Sequence, residues 1–141
     1  MNGAISVYLK NDSIIIIPQG GEGGLFFDVE PITIIQSNEP IPIDILIESF
    51  KVSSENKMIP DLKKYKSPIL KKMKINSMKK LYENSSYCLI VKENSRYALV
   101  ESELAPDKKG FVLDKEIIIE SIDDLPKAII KTLVKPRKSQ K

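Results

Sequence analysis

Residues 5–17 read ISVYLKNDSIIII. Ile5–Leu9 and Ser13–Ile17 are runs rich in β-branched side chains. Lys10-Asn11-Asp12 between them is a polar turn of the kind that joins two hairpin strands. β-Branched residues are stiff at χ1 and suit a pleated surface better than a helix, so the chain opens as β-structure. The pattern breaks over Pro18–Gly24 (PQGGEGG) and resumes over Leu25–Glu30 and Ile32–Ile35, with Pro31 marking an edge or a bend. After Glu39-Pro40 the period changes. Ile43, Leu46, Ile47 and Phe50 fall at i, i+3, i+4 and i+7, with Asp44, Glu48 and Lys51 elsewhere, which predicts an amphipathic helix started by Pro42. Its isoleucines are mediocre helix formers, so packing must hold it.

Ser53–Lys66 has no clear period and is expected as a loop. Ser67-Pro68 is an N-cap followed by Pro at the first helical position, opening a short helix with Ile69, Leu70 and Met73 inward. Asn76 is expected to cap a second short helix through Leu81 and Tyr82. Ser86–Lys92 and Arg96–Ser102 form a hairpin around Glu93-Asn94-Ser95. Lys108-Lys109-Gly110 is a turn, and Phe111–Leu113 and Glu116–Glu120 are two further strands. Ser121 and Asp124 start a last helix in the manner of a capping box, with Leu125, Ala128, Ile129 and Leu133 on one face. Pro126 is acceptable there because it lies in the first turn. Strands in groups with helices inserted between the groups predict an α+β fold: a single domain, residues 1–134, with a largely antiparallel sheet and three to four helices. Residues 135–141 form a polar basic tail, expected to be disordered.

The chain has 141 residues, one domain's worth, enough to bury roughly two thirds of its unfolded surface. Its charges alternate in blocks. Residues 1–60 carry 3 Lys against 8 Asp and Glu, and 61–81 carry 8 Lys against 1 Asp. Residues 82–126 carry 5 Lys and Arg against 10 Asp and Glu, and 127–141 carry 6 Lys and Arg with no acid. The chain contains no histidine, which removes the side chain most used for acid–base chemistry near neutral pH, the usual triads and most zinc sites. A chain so poor in catalytic groups and so segregated in charge is expected to bind rather than to transform: not an enzyme, with no catalytic residue, no metal and no cofactor. One cysteine, Cys88, rules out an internal disulfide. The first twenty residues lack signal-peptide features, and no apolar run approaches the ~20 residues that span a bilayer. A cytoplasmic protein with no membrane partner is expected.

Four features have a chemical reading to set beside a bland one. The glycines at 20, 21, 23 and 24 follow a strand, as phosphate loops do, but Leu25-Phe26-Phe27 continues as strand and no Gly-Lys-Ser/Thr appears, so a flexible hairpin loop is the better reading. The block Lys63–Lys80 is the best case for nucleic acid, with Tyr65 and Tyr82 as stacking residues. It has no arginine, and its apolar residues Ile69, Leu70, Met73, Ile75, Met78 and Leu81 read as the buried side of two helices with the lysines on the wet side. A nucleic-acid-binding accessory protein using this block is therefore the second reading. Cys88 reads as a buried structural thiol. Asp28 with Glu30, and Glu101 with Glu103, alternate onto one strand face each. They need no role as solvated charges, yet they also present ordered negative strips to a basic partner, and they are the candidate partner-binding residues.

One arrangement is distinctive beyond its physics. SVYLKNDSIIIIPQ (6–19) leads through a glycine loop to GLFFDVEP (24–31), then come SPILKKMKINSMKKLYENSSYCLIVKENSRYALVES (67–102) and KKGFVLDKEIIIESIDDLPKAIIKTL (108–133). This order resembles a family of bacterial contact-dependent growth inhibition immunity proteins. Its members similarly show a Pro-led helix with a Leu-Lys step, a short second helix, a strand pair, a Gly-Phe strand start, and a last helix after an acidic step ending in Leu. The similarity runs from Tyr8 to Leu133. The resemblance implies a protein that protects its own cell by binding a cognate toxin domain, commonly a nuclease. It transfers no site residue.

Overall fold

The hairpin forms and becomes the centre of the molecule. The computed structural model describes residues 3–21, 26–61, 63–104 and 111–134. Strands β1 (Gly3–Lys10) and β2 (Ser13–Gly20) pair antiparallel from Lys10↔Ser13 to Ala4↔Gln19. Asn11 takes the turn at φ 56°, in the left-handed region that a short polar side chain tolerates. Strand β2 runs past the expected break, through Pro18. The Pro18 carbonyl accepts from the Val29 N–H at 2.9 Å on the outer side of β2. The N and O of one strand residue point the same way, so the donor that Pro18 lacks also faces outward, where no ladder bond is required of it.

Two short strands occupy that outer side: β3 (Phe27–Asp28) opposite Gln19 and Gly20, and β4 (Thr33–Gln36) opposite Ser13–Ile16. Together they make one edge strand interrupted around Pro31, whose peptide bond with Glu30 is cis. On the far side of β1 follow β5 (Ser85–Glu93), β6 (Arg96–Leu104) and β7 (Phe111–Ile119), giving the order β3-β2-β1-β5-β6-β7 with β4 beside β2. All pairings are antiparallel. Where two strands were expected after Gly110, β7 is continuous. Val100 pairs with Glu116 and Ser102 with Leu113, so β7 carries an extra residue there and the pairing resumes beyond the irregularity. The expected Lys108-Lys109-Gly110 turn and the 135–141 tail lie outside the described residues.

Both faces of the sheet are covered. Ile14 and Ile16, with Ile5, Val7, Ile90 and Leu99, form one core with Leu46 and Phe50 of α1 (Ile43–Glu55) and with Leu125, Ile129 and Leu133 of α4 (Leu125–Leu133). Ile15 and Ile17 turn the other way with Tyr8, under Ile69 of α2 (Pro68–Met73) and Leu81 of α3 (Met78–Tyr82). Tyr8, Tyr82, Tyr87 and Phe111 fill the rest of this second face, with ring centroids between 4.7 and 6.4 Å apart. The result is a single α+β domain with an open antiparallel sheet and four α-helices. No helix among the described residues is long and apolar enough to cross a membrane.

Helix α1 differs from expectation in face and length. Ile47 is 50% exposed, while Ser49 and Ser53 point inward and the helix continues into the expected 53–66 loop as far as Glu55. The reason is a close approach. A Cβ on Gly20 would stand 2.5 Å from the Asn56 carbonyl, and one on Gly3 would stand 2.8 Å from that of Phe50, so bare backbone is required where α1 meets the hairpin. The Ser53 hydroxyl fills this seam, accepting from the Ala4 N–H at 2.7 Å and donating to the Gln19 carbonyl. The caps follow local rules. Ser67 accepts from the Ile69 N–H and opens α2 with Pro68 at its first position. Ser77 rather than Asn76 opens α3, and Ser121 caps the 3₁₀ turn Ile122–Asp124 that leads into α4.

Two predictions follow from this packing. Ser53→Ala strands two buried backbone groups, so urea unfolding should show a loss of about 1–3 kcal/mol. Ser54→Ala, whose hydroxyl bonds only to the Lys51 carbonyl of its own helix, should change stability by less than about 0.5 kcal/mol. The second concerns alkaline pH. Burial pushes the Cys88 thiol and the Tyr8 and Tyr87 hydroxyls well above their ordinary values. Raised folded pKa values mean that stability is intact below the unfolded values and is lost as pH rises through them, because the unfolded chain then holds fewer protons. Urea midpoints should therefore be level up to about pH 8.5, fall as the unfolded thiol ionises, and fall faster above about pH 10 as the tyrosines follow. In Cys88→Ala the fall should begin nearer pH 10. A midpoint unchanged from pH 8 to 11 would contradict this account.

Candidate functional site

The expected Asp28/Glu30 strip does not form on a strand, because β3 ends at Asp28. Asp28 is instead half-buried and tied from several sides. Its carboxylate accepts from Gln19 Nε2 at 2.6 Å and from the Ser67 hydroxyl, and its carbonyl accepts from Tyr65 Oη at 2.8 Å. The Tyr65 ring meets Phe27 edge-on with centroids 5.8 Å apart. Burial first, and then the nearby Asp28 charge, pushes the Tyr65 hydroxyl up to about 12. Asp28 thus knots the edge strand to the cap of α2. Ser67 serves both ends of this knot, since its oxygen also caps the helix.

Glu30 is exposed beyond the strand end, and the knot places it across from α2. Between them lies a cleft of about 420 Å³, lined by Glu30, Pro31 and Ile32 on one wall and by Pro68, Lys71 and Lys72 on the other. Ile32 is buried and belongs to the core beneath. Lys71 and Lys72 begin a wider basic surface. All eight lysines of 61–81 are exposed, while Ile69 and Leu81 are buried and Leu70, Met73, Ile75 and Met78 pack inward, as the pattern implied. Among the described residues the ion pair is Arg96 Nε with Glu120 at 3.3 Å, and none of these eight lysines has one. The aromatic residues of the block are spoken for: Tyr65 by Asp28 and Phe27, Tyr82 by Phe111 at 5.1 Å and by Tyr8 at 6.4 Å. Lys10, from the hairpin turn, donates to the carbonyls of Lys80 and Glu83 at 2.9 and 2.6 Å, holding the C-terminal end of α3, where a cation suits the dipole.

Glu101 and Glu103 lie on β6, four strand steps from β3, or roughly 19 Å at the usual spacing. The two acidic pairs are therefore separate. Glu101 is half-buried opposite Cys88, and its charge adds to burial in raising that thiol. Glu103 pairs with Val112 along the backbone, and its side chain lies outside the described residues. Of the glycine loop, Gly20 is strand and Gly21, at φ 100°, donates its N–H to the Asn56 carbonyl at 2.8 Å, with 22–25 outside the described residues. Among the described residues no three acidic, cysteine or histidine side chains stand close enough to hold a metal ion. In the sequence Glu30 and the lysines of α2 lie in separate segments. Nothing local announced that the Ser67 cap would reach Asp28 and bring them to one cleft.

No protein-family model matches the chain, and no curated protein matches it in sequence. Solved structures match it in fold. One is a protein of unknown function from Neisseria meningitidis, with TM-score 0.62 and 13% identity over 94% of this chain and 92% of that one. Another is a chain of the CdiA-CT/CdiI toxin and immunity complex from Yersinia pseudotuberculosis, with TM-score 0.62 and 9% identity over 94% of this chain and 95% of that one. At such identities the likeness is one of fold, and it extends over nearly the whole of each chain.

Proposed function

We propose that this chain is an immunity protein that acts in the cytoplasm, binding and neutralising the toxic C-terminal domain of a contact-dependent growth inhibition exoprotein. The observation that carries the reading is the end-to-end similarity in fold to a chain of a toxin and immunity complex. The order of sequence motifs from Tyr8 to Leu133 points the same way on separate grounds and to the immunity half of such a pair. The chemistry is that of a binder. Without histidine, acid–base work falls to Asp, Glu, Lys and Tyr, and burial holds Tyr8, Tyr87 and Tyr65 protonated far above neutral pH.

Immunity must outrun damage, so the complex is tight. Nanomolar affinity corresponds to about −12 kcal/mol, and a standard interface buries about 1,600 Å². A nuclease toxin is the finer reading. Its cleft is electropositive in order to accept phosphate, and the acids Glu30, Glu101 and Glu103 are the candidates for steering association with it.

Co-expression with the toxin domain of an exoprotein encoded beside this chain should restore growth and yield a stable 1:1 complex on gel filtration. Catalysis by the purified chain alone, or no complex at micromolar concentration, would sink the proposal. For the finer reading, Glu101→Gln combined with Glu103→Gln should slow association by about threefold to tenfold at low salt and flatten its salt dependence. An unchanged stopped-flow rate would remove these two acids from the steering surface and leave the immunity reading standing.

A further inference from the structure

We infer that the cleft between Glu30-Pro31-Ile32 and α2 is a docking site for an acidic segment of the protein partner, with Lys71 and Lys72 receiving its carboxylates. The inference rests on the immunity reading and names one contact within it. Three observations on the molecule carry it.

The first is uncompensated charge. Eight lysines and one aspartate fall within residues 61–81, all eight lysines are exposed, and none has an ion-pair partner among the described residues. Like charges packed this closely repel one another, and an acidic partner relieves the repulsion as it binds. The second is shape. Lys63, Lys64 and Lys66 precede α2, Lys74 ends it and Lys79 and Lys80 lie on α3, but Lys71 and Lys72 flank a cleft of about 420 Å³ whose walls include Pro31, Ile32 and Pro68. That volume falls within the usual range for binding pockets, and apolar walls with a few charged groups are what remove water from an incoming carboxylate. An ammonium beside an apolar wall interacts more strongly than one surrounded by water.

The third is preorganisation. The Ser67 hydroxyl is held by Asp28 and caps α2, Ile69 anchors α2 in the core, and Lys74 ends the helix in the left-handed conformation at φ 56°. The two lysines thus project from a fixed backbone, and less freedom is lost on binding. Glu30, on the opposite lip, repels a second acid there and sets the direction in which the segment lies.

The same surface suits nucleic acid less well. Arginine is absent from it, and Tyr65 and Tyr82, the residues placed to stack on bases, are turned inward to Phe27 and Phe111. A compact cleft also takes one side chain or a short turn better than a strand of phosphates.

The test compares two double charge reversals. Affinity for the toxin domain of an adjacent exoprotein is measured by interferometry for the intact chain, for Lys71→Glu/Lys72→Glu and for Lys79→Glu/Lys80→Glu, with a random DNA duplex as a second probe. The change in net charge is the same in both variants, and all four lysines are exposed, so both should fold. Should the first not fold, Lys71→Gln/Lys72→Gln takes its place. The cleft variant is expected to lose about a hundredfold in toxin affinity and the α3 variant less than about fivefold, because only the first pair is desolvated on binding. Three results overturn the inference: loss of less than fivefold in the cleft variant, equal losses in both variants, or tight duplex binding that the cleft variant alone abolishes while toxin binding persists. Absence of toxin binding by the intact chain would overturn the immunity reading, and this inference with it.

Discussion

Four consecutive isoleucines in a strand cannot share a face. Successive strand side chains alternate, so Ile14 and Ile16 go to one side of the sheet and Ile15 and Ile17 to the other, and all four are buried. Burying each contributes about 1.5–3 kcal/mol, so the run supplies a sum comparable to the entire net stability of a small domain. A sheet with such a strand near its centre cannot leave either face to water. The helices must divide between two sides, and they do: α1 and α4 over one core, α2 and α3 over the other.

The two coverings are attached in different ways. Helix α1 is 13 residues long and sinks against bare backbone at Gly3 and Gly20, with Ser53 sealing the seam. Helices α2 and α3 have 6 and 5 residues, too short to persist on propensity alone. They are held by one deep side chain each, Ile69 and Leu81, and by polar fastenings at their ends. Ser67 joins Asp28 at the start of α2, Lys10 joins the Lys80 and Glu83 carbonyls at the end of α3, and the Ser85 hydroxyl donates to the Leu81 carbonyl. The anchors face inward or lie at the ends, which leaves the outward positions free for lysine. The basic surface is thus a consequence of how thin this layer is.

The same division separates what was legible in the sequence from what was not. The first hairpin, the Ser67-Pro68 start of α2 and the Leu125/Ile129/Leu133 face of α4 depend on neighbours within a turn or two, and all were readable. So was the inward set of the lysine block, because apolar spacing and lysine spacing are complementary there. Apart from the cap of α3, where Ser77 stands one residue past the expected Asn76, the misreadings each involve a distant partner. Pro18 stays in β2 because its missing N–H faces outward between β3 and β4, where no ladder acceptor calls for it, and only the placement of those strands reveals this. Ile47 points outward because the Gly3 and Gly20 seam draws the Ser49/Ser53 side of α1 inward. The continuity of β7 depends on β6 accepting an irregular register. Asp28 looked like a surface charge because Gln19 is 9 residues away and Ser67 is 39, and the cleft beside Glu30 exists only through that knot.

A core built this way tolerates wide change in sequence. Burial on two faces asks for apolar volume at alternating positions rather than for particular residues, and cores accept extensive hydrophobic exchange when volume and pattern are kept. The fold can therefore persist at 9–13% identity with a TM-score of 0.62, as the solved structures show. The exposed lysines and acids are bound even less by the fold, since surface exchanges of this kind usually change stability by less than about 0.5 kcal/mol. Glu30, Lys71 and Lys72 are all exposed, so exchanges there leave the core closed. That freedom belongs to the thin helical layer and the edge strand rather than to the buried sheet, so these are the surfaces on which the sequence can change while the fold stays the same.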